Sequence, residues 1–211
     1  MKVLLGAGTA SSCQADGVGG GPITSTTVSP VPPVPPAVPP AVTVSVDPDL
    51  TAPDVRALLE AHLADMRAVS PPESVHALDL DELRDPAITF CVARAADGTL
   101  LGVGALKELD DPAEPGGHGE VKSMRTSPTA VRTGVASHLL AHLLDLARER
   151  GLGRVSLETG AEPFFAPARR FYARHGFVER GPFAGYEPDP NSVFMTRPVA
   201  GSAASPEPPP A

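Results

Sequence analysis

The stretch Val131-Arg132-Thr133-Gly134-Val135-Ala136-Ser137 decides how this chain is read, because it sets a turn of small residues at the mouth of a long amphipathic helix. Amides at a helix start have no partner inside the helix, and the aligned peptide dipoles add about half a positive charge there, so a diphosphate is held without a lysine. Gly134 and Ala136 keep that approach clear of bulky side chains. A similar turn also occurs in ordinary strand-helix units where the glycine serves only packing, so its surroundings decide.

Upstream, residues 119–126 alternate as a strand, and Ser127-Pro128-Thr129-Ala130 breaks it into the turn. Downstream, Val135, Leu139, Leu143 and Leu146 recur at helical spacing, and the pattern stops at Gly151 behind Arg148 and Arg150. Residues 154–159 read as a buried strand. A further helix follows Pro163, carries Ala168, Phe171, Tyr172 and His175 on neighbouring turns, and ends at Gly176-Phe177.

Towards the N-terminus, Asp97-Gly98 marks a hairpin between strands at 87–95 and 100–106. Residues 42–46 alternate as a first strand. Thr51 is expected to cap a helix with Pro53 just inside it, whose apolar face holds Val55, Leu58, Leu59, His62, Leu63 and Met66. Ser70-Pro71-Pro72-Glu73-Ser74 breaks that helix and starts a short second one through Val75, Leu78, Leu80 and Leu83. Residues 110–117 form a polar loop, His118 is read as a loop histidine beside it, and residues 192–196 make a last strand. The order strand, two helices, three strands, helix, strand, helix and one or two closing strands is an α+β arrangement around a mixed, mostly antiparallel sheet flanked by helices.

Composition bounds the rest. The 26 prolines of the 211 residues crowd between Pro30 and Pro40 and again from Pro206 to Pro210, where a missing N–H disfavours sheet and helix alike. Residues 1–41 and 200–211 are therefore expected as disordered extensions, with the folded domain at 42–199. A net charge of −8 without a Lys/Arg run gives no electrostatic footprint for nucleic acid. The two cysteines, Cys13 and Cys91, fall in unlike surroundings, which disfavours a disulfide and suits a reducing cytoplasm. The apolar start Met1-Lys2-Val3-Leu4-Leu5 is short and interrupted by Gly6, so export is not favoured, and no stretch is long enough to span a membrane. No metal site is expected.

The strand 120–126, the turn Arg132-Thr133-Gly134-Val135-Ala136, the strand 155–159 and Ala168-Arg169-Arg170-Phe171-Tyr172-Ala173-Arg174-His175-Gly176-Phe177 together resemble the GNAT family of acyl-CoA-dependent N-acetyltransferases. Within it the likeness is to small bacterial members of the YsnE type, through Gly104-Ala105-Leu106-Lys107-Glu108-Leu109, Leu157-Glu158-Thr159-Gly160 and Asp189-Pro190-Asn191-Ser192-Val193-Phe194-Met195-Thr196. The resemblance implies an α/β sandwich of GNAT type and transfer of an acetyl group from acetyl-CoA, as co-substrate, to a primary amine of a small molecule in a ternary complex. No nucleic-acid or membrane partner is implied, and the state is monomer or homodimer. Two departures stand out: Val131 occupies the family's opening Arg or Gln position of the phosphate turn, and Phe165 stands where many members carry an asparagine.

An alkylamine of pKa about 10.4 needs about 4.6 kcal/mol to present its free base at neutral pH, so a proton acceptor is wanted. Glu120 and Glu158 are the carboxylates that the sequence places towards the cleft, directly or through a water. The resemblance assigns oxyanion donors to the backbone around Met124 and Arg125, in a strand that bulges, and assigns Tyr172 to the departing thiolate. It implies that the co-substrate lies along Met124, Arg125 and Thr126 and on the turn Arg132, Thr133, Gly134, Val135, Ala136 and Ser137. The Arg125 side chain has a second use, as a fork for an acceptor's carboxylate, and Glu73 and His76 are further candidates for acceptor selection. A non-catalytic acyl-CoA-binding regulator is the rival reading. A nucleoside triphosphatase is disfavoured because no Gly-Lys-Ser/Thr follows the turn.

Overall fold

A computed structural model of the chain describes residues 41–47, 49–69 and 81–199. The expected helix through Val75, Leu78 and Leu80 lies outside those residues, as do Glu73 and His76 and the proline-rich ends. Leu83, expected on that helix, is buried in a single 3-10 turn, Glu82–Arg84.

Among the described residues seven strands form one sheet in the order β1-β2-β3-β4-β5-β7-β6. They are β1 (Val42–Val46), β2 (Ile88–Ala95), β3 (Leu100–Leu109), β4 (His118–Thr126), β5 (Arg154–Gly160), β6 (Val178–Arg180) and β7 (Ser192–Pro198). Helices α1 (Pro53–Val69), α2 (Val135–Glu149) and α3 (Ala166–Arg174) cover it. Period-2 alternation sends β2 residues to opposite sides. Phe90 and Val92 join Val103 and Ala105 of β3 in a core with Val55, Leu58 and Leu59 of α1. Cys91 and Ala93 join the other core, where Leu139, Leu140 and Leu143 of α2 meet Phe171 and Tyr172 of α3. The sheet thus has an α1 face and an α2/α3 face.

Each of these strand pairs is antiparallel except β4 and β5. That pair holds only at His118↔Arg154, Gly119↔Val155 and Glu120↔Ser156. Beyond it the two strands part, while β5 stays paired with β7 from Arg154 to Gly160. The closed end is tied by side chains: His118 Nδ1–H donates to Asp111 at 2.7 Å, and its Nε2 is hydrogen-bonded to Ser156 Oγ, also at 2.7 Å. His118 is therefore the buried first residue of β4 rather than a loop residue, because the loop's Asp111 and the strand's Ser156 satisfy both ring nitrogens away from water. The expected cap also moves: α1 begins at Pro53, and the Arg56 amide bonds the Ala52 carbonyl, so Ala52 rather than Thr51 takes the cap position.

Candidate active site

The site is built where β4 and β5 diverge. In β4 the register with β3 jumps from Ala105↔Lys122 to Val103↔Arg125, so Ser123 and Met124 stand outside the ladder and form a bulge. Ser123 takes φ +52°, which supplies the bend. The extra residue also reverses which side chains face which side. Val121 and Met124 enter the α2/α3 core, whereas Glu120, Lys122 and Arg125 share the α1 face, since Lys122 and Arg125 lie opposite Ala105 and Val103. Without the bulge, alternation would have sent Met124 to the α1 face and Arg125 away from it.

Below the bulge, Tyr172 of α3 is fully buried and its hydroxyl donates to Met124 Sδ at 3.3 Å. Burial raises its pKa well above the usual phenol, so it stays an O–H donor at neutral pH. Thioether sulfur is a weak acceptor, and a stronger one brought to the bulge can take that hydrogen bond. Phe171 and Phe177 meet the Tyr172 ring edge-on at 5.1 and 5.4 Å and fix its direction.

The turn expected to hold a diphosphate leads on from the end of β4 through the 3-10 turn Pro128–Ala130. Gly134 caps α2 at φ +89°, a backbone state that only glycine adopts at little cost, and Arg132 takes φ +65° just before it. Ser137 and His138 amides bond the Gly134 carbonyl, so the amides of Gly134, Val135 and Ala136 precede the helix's own ladder. The cap residue, a glycine, offers the helix start no side-chain hydrogen bond. Arg132, Thr133 and Gly134 are exposed, and Ala136 and Ser137 half-exposed, so an anion has access. Val131 in the opening position leaves this backbone cradle intact. Ser137 Oγ is in turn held by His175 Nε2 at 3.1 Å, which joins the start of α2 to the end of α3.

Across the α1 face runs a buried polar surface. Glu120 Oε1 accepts from Lys122 Nζ at 2.6 Å and from the Tyr186 hydroxyl at 2.7 Å, and Lys122 Nζ also donates to that hydroxyl at 2.9 Å. Burial works to raise the Glu120 pKa while the Lys122 charge and the two hydrogen bonds work to lower it, and the carboxyl lies below its ordinary value. Burial and the Glu120 charge push Tyr186 far up. Glu158, fully buried on β5 past the last β4 pair, accepts from Ser192 Oγ at 2.6 Å. Lys122 and Tyr186 were not among the sequence candidates. The spacing of Lys122 two residues beyond Glu120 on a strand was a usable signal, whereas Tyr186 reaches the pair from a distant loop.

Phe165, in the family's asparagine position, is fully buried and packs with Met66 of α1. Gly160 makes that possible, because a Cβ there would run into the Phe165 ring. The hydrogen bond an asparagine would make is replaced by apolar packing. Cys91 is a buried free thiol, pushed up to about 11 by burial, which disfavours the thiolate. Among the described residues no group of His, Cys, Asp and Glu is arranged to hold a metal ion, and no helix is long and apolar enough to cross a membrane.

Parted parallel strands, a bulge in β4, a buried phenol hydrogen-bonded at that bulge and an exposed helix start make up the candidate site. The acetyltransferase (GNAT) family model matches residues 55–177, and the chain belongs to that family. Over 149 residues it is 52% identical to the uncharacterized N-acetyltransferase YsnE of Bacillus subtilis, covering 71% of this chain and 95% of that one. It is 48% identical over 148 residues to the uncharacterized N-acetyltransferase YedL of Escherichia coli, covering 70% of this chain and 89% of that one. A crystal structure from Klebsiella pneumoniae, named as an acyl-CoA N-acyltransferase, superposes with a TM-score of 0.59 at 29% identity over 75% of this chain and 97% of that one. The fold and the acyltransferase class follow.

Proposed function

We propose that residues 42–199 form a cytoplasmic N-acetyltransferase that moves an acetyl group from acetyl-CoA to a primary amine of a small molecule, the amine attacking directly with both substrates in the cleft. The observation that carries this reading is the buried Tyr172 hydroxyl at the β4 bulge, resting on the weak acceptor Met124 Sδ. Acetyl-CoA supplies the activated acyl group. The amides at the start of α2 hold its diphosphate, and the backbone of Met124 and Arg125 faces the carbonyl oxygen as charge develops there. Glu158 takes the proton of the incoming amine, and Tyr172 donates to the departing thiolate. Glu120, locked to Lys122 and Tyr186, sets the charge balance of the acceptor side instead of moving protons.

The test is turnover of acetyl-CoA with a panel of amines, read as released thiol, beside calorimetry with coenzyme A. Tyr172→Phe is expected to lower kcat about a hundredfold while coenzyme A affinity stays within about twofold. Binding without transfer to any amine would favour a non-catalytic acyl-CoA-binding regulator. No heat with coenzyme A would remove both readings.

A further inference from the structure

The Arg125 guanidinium is the buried charge on the α1 face that its surroundings leave incompletely served. Its side chain is 8% exposed, and Nη2 donates to Asp65 Oδ2 of α1 at 2.5 Å. Nε and Nη1 are buried with no hydrogen-bond partner among the described residues. Asp65 is itself 43% exposed, so water competes for it. The neighbouring cation, Lys122, is already matched by Glu120. A buried guanidinium keeps donors open only at a free-energy cost, which an incoming anion offsets. The bulge that sets Met124 against Tyr172 is what turns the next residue, Arg125, onto the acceptor side.

We infer that Arg125 is the specificity-determining residue of the acceptor site and that it docks a carboxylate, so the acceptor is an amino acid rather than a simple amine. This rests on the acetyltransferase reading above. Arg125 directly follows the bulge residue at which transfer is proposed, so a carboxylate on its open donors sets an amine a few bonds away near the thioester. Planar N–H donors suit a carboxylate better than a hydroxyl or an amide, and the bound pair is charge-assisted.

The experiment compares each amino acid with its own decarboxylated amine (lysine with cadaverine, histidine with histamine, phenylalanine with phenethylamine) in acetyl transfer. Calorimetry measures binding of the matching N-acetyl amino acids and N-acetyl amines. For at least one pair, wild-type protein is expected to favour the acid at least tenfold in kcat/KM. Arg125→Gln is expected to raise KM for that acid about thirtyfold, far more than it alters kcat, bringing the pair to near parity. Asp65→Asn, at a half-exposed position, is expected to tighten binding of the N-acetyl amino acid by removing the competing anion, which keeps the inference testable should Arg125→Gln not fold. Transfer to amines equal to or better than transfer to their acids would overturn the inference and leave the acetyltransferase reading standing. Transfer to neither would overturn both. Acid preference that survives Arg125→Gln, or weaker binding in Asp65→Asn, would overturn the role given to Arg125.

Discussion

Two glutamates on neighbouring strands, Glu120 of β4 and Glu158 of β5, have unlike surroundings, and their mutants should differ accordingly. Glu120 carries an ion pair and a phenol on one oxygen, deep in the protein. Glu120→Gln strips the buried Lys122 of its counter-charge and should cost about 3–5 kcal/mol, read by denaturant unfolding. Glu158 stands where the strands part and accepts from a serine hydroxyl, and Glu158→Gln should instead lower kcat about a hundredfold with little change in midpoint. A loss of about a hundredfold in kcat in Glu120→Gln beside an unchanged Glu158→Gln would exchange the two roles. Both glutamates were legible as strand carboxylates, Glu120 on the strand that enters the turn before α2 and Glu158 on the next one. Which one is charge-locked was not legible, since Tyr186 reaches Glu120 from 66 residues away along the chain.

At the scale of elements, α2 is where sequence and structure agree most closely, because a helix is punctuated locally. Gly134 and Gly151 bracket it, and Val135, Leu139 and Leu143 mark its buried face. The β4 bulge has no such punctuation. Ser123 is not a residue type that announces φ +52°, and the family resemblance, not composition, pointed to the irregularity. His118 was misplaced for the same reason, its partners Asp111 and Ser156 being brought together only by the fold. Gly134 gives the element its prediction. A Cβ there would meet nothing nearer than 4.0 Å, so Gly134→Ala tests backbone conformation without a clash. The left-handed state costs an alanine about 1–2 kcal/mol, and a turn that relieves it rotates the amides at the start of α2. Coenzyme A affinity should therefore fall about tenfold, measured by calorimetry, with kcat at saturation nearly unchanged. Unaltered affinity would mean that the diphosphate does not sit on this turn.

Over the whole molecule, three carboxylates held below their ordinary values join separate parts of the fold. Asp54 of α1 meets Arg94 of β2, Asp111 of the 110–117 loop meets His118 of β4, and Glu120 of β4 meets Lys122 and the Tyr186 loop. A carboxyl whose folded pKa is depressed adds stability that is complete above its unfolded value, near 4, and is lost as pH falls through the folded value. The three do not weigh equally. Asp54 and Arg94 are 46% and 29% exposed, so water and salt screen that pair, whereas Asp111 is 6% and Glu120 2% exposed in their side chains. The melting temperature should accordingly be nearly flat from about pH 5 to 8 and fall steeply below about pH 4, with added salt doing little to the acid limb. Asp111→Asn removes one titrating group and loosens the closed end of the β4–β5 wedge. It should lower the melting temperature at pH 7 and make the curve shallower below pH 4, the two proteins converging as the native carboxyl is neutralised. Parallel curves over the whole range would show that the His118 hydrogen bond contributes no pH-dependent stability and that acid acts elsewhere.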